Sequence, residues 1–182
     1  MKKKSHPTFF GTFTSARIFS FCLPLAALLL ATTPAKSAPQ SGTVTVAVGS
    51  VTVTPAAGGA AAALKAGDTV AVGSTVKTGA DSRAVIVMTA TSAIRIAADT
   101  EILIQEVDEA AENPKVLLDI KSGSVGALLK PKEGKALDFK IKTPSGVAAA
   151  RGTFFAVVVE NGKGFAQVKE GKVEIIPSKE GN

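Results

Sequence analysis

Tryptophan and tyrosine are absent from this 182-residue chain, histidine and cysteine occur once each, and aromatic residues make up only 5% of it. His6 and Cys22 both fall before Ser37, in a segment that reads as an address label. Beyond Ser37 there is neither imidazole nor thiol. Nucleophilic catalysis by Ser-His-Asp or Cys-His needs a neutral base near pH 7, which the remainder does not supply. Zinc, iron-sulfur and haem sites drawn on His or Cys are excluded as well. With no disulfide to staple it, the remainder must hold together by burial alone. Composition leaves paired-carboxylate hydrolysis open, but a glycosidase without a single Trp or Tyr platform is a poor reading. No catalytic residue, cofactor or metal is expected.

Charge of one sign is also scarce where it counts. The formal charge is +6, but Lys2, Lys3, Lys4, Arg17 and Lys36 lie in the leader, which has no acid. They leave 16 of the 21 basic residues against all 15 acids, or +1. A nucleic-acid binder would carry a basic excess, so no nucleic acid is expected as partner. The basic front is followed by an apolar run from Ile18 to Leu30, too short to span a bilayer comfortably, and small residues Ala35 and Ser37 suit cleavage after Ser37. The expectation is a signal peptide over 1–37, a linker over 38–43, one domain over 44–177 and a tail over 178–182. The product would be periplasmic or extracellular, with no membrane span in the mature chain. An uncleaved anchor is the alternative.

The mature part has the Val, Ile and Thr bias of strands. Leu137 to Lys142 alternates without a slip, placing Leu137, Phe139 and Ile141 on one face. Ala84 to Met88 and Phe154 to Val159 are continuous apolar runs, expected of strands covered on both faces. In Thr43 to Thr54 the apolar phase changes at Gly49-Ser50, which predicts a two-residue hairpin pairing Val48 with Val51 and Val46 with Val53. The same arithmetic predicts hairpins at Asn161-Gly162, pairing Glu160 with Lys163 and Val158 with Phe165, and at Glu170-Gly171, pairing Val168 with Val173 and Ala166 with Ile175. Residues 153–176 then form a three-stranded meander. Leu118 and Ile120 enter Gly123-Ser124, and Ala127 and Leu129 leave it in matching register. Ala56 to Ala66 reads as a loop with at most one helical turn, and Glu106 to Pro114 as an acidic loop. The fold class is all-β, antiparallel hairpins or a meander forming a sandwich or roll. Turn-like glycines at 49, 73, 123, 146 and 171, with a gap near Ala98, keep a short solenoid of ~24-residue units as a second architecture.

Lys142-Thr143-Pro144-Ser145-Gly146, followed by Arg151-Gly152-Thr153-Phe154-Phe155-Ala156-Val157, resembles the signature of the FecR domain family. Gly67-Asp68, Thr78-Gly79 with Ser82 and Ala84, Leu118 to Val125, and Glu170-Gly171-Lys172-Val173 follow in the family's order over about residues 44–176. The resemblance implies an exported all-β module of the kind found in bacterial transmembrane regulators of iron-siderophore uptake. It marks Thr143, Pro144, Gly146, Arg151, Gly152, Thr153, Phe155 and Val157 as motif positions. Two departures stand out: Thr89-Ala90-Thr91-Ser92 replaces a glycine-containing turn, and Ala150 replaces a larger Val. Those regulators carry a cytoplasmic sigma-factor-binding domain ahead of the membrane segment, whereas 17 residues precede the apolar run here. The sigma-regulator role is therefore not expected to transfer, although a membrane-anchored regulator is kept as the alternative function.

Arg151 reads either as a clamp for an anion or as a scaffold residue fixing the loop, and the scaffold is favoured because Gly152 and Thr153 point to backbone geometry. Glu101, Glu106, Asp108, Glu109 and Glu112 lack calcium-loop spacing. Lys130, Lys132, Lys135, Lys140 and Lys142 are interleaved with acids, as on a solvated strand face. The function expected is a non-catalytic binding or structural interaction module, its partner an unknown protein or envelope polymer.

Overall fold

The computed structural model describes residues 40–130 and 137–178, and for residues 151–153 the backbone alone. The leader with His6 and Cys22, its cleavage site, Lys132 and Lys135 lie outside the described residues. Twelve strands are described: β1 Ser41–Val48, β2 Val51–Thr54, β3 Ala62–Ala63, β4 Thr69–Ala71, β5 Thr75–Thr78, β6 Arg83–Thr89, β7 Ser92–Ile96, β8 Glu101–Asp108, β9 Lys115–Leu129, β10 Asp138–Thr143, β11 Gly146–Glu160 and β12 Lys163–Pro177. No described residue lies in a helix, so the fold is all-β.

Three 15-residue strands organise it. The first half of β9 pairs with β8 and β10, its second half with β7 and β11. Strand β11 follows suit: Ala150 lies opposite Phe139 of β10, while Phe155 lies opposite Ala127 of β9. Strand β12 accompanies β11 along its whole length. The sheet thus folds into two layers that share β9, β11 and β12. Layer one runs β3-β2-β5-β8-β9-β10-β11-β12, and layer two runs β4-β1-β6-β7-β9-β11-β12.

Between them lies one core. Ile86, Ile94, Ile96, Phe155 and Val157 from layer two pack with Ile102, Ile104, Leu118, Ile120, Phe139 and Ile141 from layer one, all essentially without solvent contact. Burial of this apolar surface is the main force holding a cysteine-free domain together. The unbroken alternation of Leu137, Phe139 and Ile141 is what seats β10 on that core. Leu64 adds a further plug from the Ala56–Ala66 stretch, which forms the short edge strand β3 against Thr52 and Val53 rather than a bare loop.

Of the predicted hairpins, the one at Asn161-Gly162 is present in the expected register, Glu160 opposite Lys163 and Val158 opposite Phe165. Three other glycine sites are not hairpins. Val48 lies opposite Arg83 and Val51 opposite Thr78, so β1 and β2 do not pair with each other. Val168 lies opposite Phe155 and Val173 opposite Ala150, so β12 is one strand and the meander is a long two-stranded ribbon. Ile120 lies opposite Ile102 and Ala127 opposite Ile94, within the single strand β9. At Gly49, Gly123 and Gly171 the chain crosses from one layer to the other, and so it does at Gly73. These glycines have φ of 79, 88, 87 and 84°, the left-handed region that lets a strand turn sharply without a Cβ clash. Gly49, Gly73, the β7–β8 connection near Ala98 and Gly123 are successive crossings about 24 residues apart, whereas Gly146 is the turn between β10 and β11. Among the described residues stacked parallel rungs are not present, since every pairing but that of β9 with β10 is antiparallel.

Two boundaries also differ from the sequence reading. β1 begins at Ser41, with Thr43 already paired to Thr69, so residues 41–43 belong to the domain rather than a linker. β8 extends to Asp108, which shortens the acidic loop.

Candidate functional site

The crossings at Gly49–Ser50, Gly79–Ser82, Ala97–Thr100 and Gly123–Ser124 align at one end of the two layers and are bound by hydroxyls. The Thr78 hydroxyl donates to the carbonyl of Ala97 at 2.6 Å and accepts the amide of Thr100 at 3.0 Å. The Thr100 hydroxyl donates to Ala98 O and accepts the amide of Ser124, both at 3.0 Å. The Ser82 hydroxyl accepts the amide of Ser50 at 2.9 Å, and Ser50 O accepts the amide of Gly79 at 2.9 Å. A strand that leaves its layer loses ladder partners, and buried backbone groups without partners are costly. Thr78, Ser82 and Thr100, each at most 7% exposed, supply those partners. Thr78-Gly79 and Ser82, noted as motif positions in the sequence, are therefore joints.

At the same end, the Thr143 hydroxyl donates to the carbonyl of Gly146 at 2.9 Å, closing the turn between β10 and β11. Ser145 Oγ accepts the amide of Gly164 at 2.7 Å and ties that turn to the start of β12. Pro144 lies within this turn. Phe155 and Val157 point into the core, each 1% exposed. Arg151, Gly152 and Thr153 form the crossing of β11 at the opposite end, where the ladder slips between Arg151 and Phe154. Five residues of strand, roughly 16 Å at ~3.3 Å per residue, separate Gly146 from Arg151. The structure thus does not gather the motif into one site; it spreads it from the start of β11 to the crossing at its middle, at opposite ends of the two layers.

Several carboxylates are individually engaged. Glu101 pairs with Lys77 at 2.9 Å and Asp138 with Lys140 at 2.9 Å. Asp119, nearly buried, accepts from Lys121 at 2.8 Å and Gln105 at 3.3 Å. Asp108 Oδ1 accepts the amides of Ala110 and Ala111, each at 3.1 Å, which shapes the acidic loop. Glu109 reaches across to accept the amide of Ala90 at 2.7 Å. That contact, with the Thr89 and Ser92 hydroxyls 2.7 Å apart, is how the Thr89-Ala90-Thr91-Ser92 turn forms without glycine. Among the described residues no three His, Cys, Asp or Glu side chains come together as metal ligands.

What the arrangement does present is an apolar outer face on layer two. Register places Val87, Ala93, Leu128 and Phe154 in one row across β6, β7, β9 and β11. Val87 is 36% exposed, Leu128 and Phe154 42% each, and Phe165 on β12 continues the surface at 54%. Lys169 Nζ sits 5.6 Å above the Phe154 ring, and Arg95 and Lys130 flank the row. A groove of about 200 Å³ runs beside it, lined by Val87, Ala93, Leu128, Lys130 and the Thr89–Ser92 turn. The expectation that Ala84–Met88 and Phe154–Val159 are covered on both faces is overturned: one face is core and the other is wet. The signal was in β7, where alternating Arg95 shows that the outer face of this layer meets solvent.

A family model described as FecR protein matches residues 74–174. No curated protein and no solved structure matches the chain. The chain belongs to the FecR family. The matched span begins within the β4–β5 crossing, so the turn at Gly67-Asp68 precedes it, where Asp68 Oδ2 accepts the amide of Lys65 at 2.7 Å.

Proposed function

We propose that this protein is an exported, non-catalytic binding module of the cell envelope, released into the periplasm or beyond by cleavage after Ser37, that engages a protein partner through the outer face of layer two. The observation that carries the reading is the row Val87, Ala93, Leu128 and Phe154. Contiguous exposed apolar surface on a sheet, rimmed by charge, is the usual mark of an interaction site. The rim is mixed but net cationic, Arg95, Lys130 and Lys169 outnumbering Glu109 and Glu170, so the complementary partner is an apolar segment with a net acidic flank. The leader, with its basic front, short apolar run and small residues before Ser37, supports export.

A photo-crosslinking residue placed at Leu128 in the native envelope tests the surface, with Lys77 on the outside of layer one as control. The expected result is a discrete adduct from position 128 that is absent from position 77 and lost on Phe154→Glu. Equal adducts from both positions, or none from 128, would remove the reading. Intact mass of the exported protein tests release: retention of residues 1–37 would assign a membrane-anchored regulator instead.

A further inference from the structure

Among the described residues, strand β12 closes both layers, yet pairs only with β11 and leaves a 15-residue backbone edge free. Long apolar edges are templates for another strand, and proteins usually blunt them with charge or bends. This edge has both, in a pattern that fits itself. Across the crossing at Gly171 the inward-facing positions change parity. Val168 faces in opposite Phe155 on one arm, and Ile175 faces in opposite Ala148 on the other. Both are open to solvent at the edge, 45% and 60% exposed, so the core is left uncovered there.

We propose that β12 pairs antiparallel with β12 of a second copy about a two-fold axis through the Gly171–Lys172 peptide. The bend fixes where the axis can lie, because two bent strands stack along both arms only when their corners coincide. Within that limit, register decides. With the axis between residues 171 and 172, Val168 of each copy meets Ile175 of the other on the inner face, and Lys169 meets Glu174 on the outer face. Each contact occurs twice. Moved to Gly171 itself, the axis sets inward Val168 against outward Glu174. A further half-step that way sets Lys169 against Lys172. Moved to Lys172, it opposes Lys172 to its own copy and Glu170 to Glu174. Of these four registers, only the one through the Gly171–Lys172 peptide satisfies face and charge along both arms, with Glu170 beside Val173 at the corner itself. In it the two cores become continuous, and backbone groups now left to water gain partners.

The test is the mass of the purified exported protein in solution over a concentration series, by light scattering after gel filtration. A dimer is expected. Lys169→Glu and Glu174→Lys should each weaken association about tenfold, since symmetry doubles every like-charge contact. The exchange K169E/E174K should restore it. Both side chains lie on the surface, and melting curves verify the fold. A wild-type monomer at every concentration would overturn the proposal. So would a dimer indifferent to both reversals, or one that the charge exchange fails to rescue. The dimer shares Lys169 with the rim of the outer face but does not use Leu128, so Leu128→Glu should leave it intact.

Discussion

The rings of Phe139 and Phe155 meet edge to face across the two layers, with centroids 6.0 Å apart and planes at 86°. One ring comes from β10 in layer one and the other from β11 in layer two, and both are excluded from solvent. In a chain with nine Phe and no other aromatic type, this contact ties the motif strand to the opposite layer. Replacing either ring by Ala should cost on the order of 3–5 kcal/mol. The double variant should cost less than the two together, because the pair itself is worth roughly 1 kcal/mol. Chemical denaturation of the four proteins measures this, and strict additivity would mean the rings do not support one another.

Thr100 is the central joint. Thr100→Val preserves shape but leaves the amide of Ser124 and the carbonyl of Ala98 without their hydroxyl partner, so a loss of about 1–3 kcal/mol is expected. Thr78→Val should behave similarly, through Ala97 and Thr100. Unchanged denaturation midpoints in both would show that water replaces the hydroxyls without cost.

Gly123 has φ of 88°, and a Cβ there would stand 2.6 Å from the Thr100 Cα. Gly123→Ala combines an unfavourable backbone conformation with an overlap against main chain, and about 2 kcal/mol or more should be lost. Gly162 has φ of 74° with open space around it, so Gly162→Ala should cost only the backbone part. Equal melting temperatures for the two variants would contradict the crowding at the crossing.

Calcium and chelators should leave the melting temperature unchanged. Glu101, Asp108 and Glu109 already bind Lys77, the amides of Ala110 and Ala111, and the amide of Ala90. A substantial drop in EDTA would show that the acidic loop holds an ion. Glu109→Gln, which retains an acceptor, should be tolerated better than Glu109→Ala, whose loss of the Ala90 contact should cost about 1 kcal/mol.

The residues themselves determined what depends on neighbours in sequence. Alternation at Leu137–Lys142 specified a half-buried strand and its inner face, Asn161-Gly162 specified a hairpin and its register, and the Thr143 to Val157 motif specified the family. Composition showed that the residues beyond Ser37 carry neither imidazole nor thiol. Tertiary structure decided what each glycine means. A hairpin loop and a crossing between layers both shift the apolar phase by one residue and both call for φ above zero. The patterns at Gly49, Gly123 and Gly171 therefore fit either, and only the distant partners, Val85 for Val46, Ile102 for Ile120 and Phe155 for Val168, distinguish them. The same holds for the candidate surface. A continuous apolar strand is compatible with cover on both sides, and whether Phe154 is buried or exposed depends on what lies beyond it in space, which no local pattern encodes.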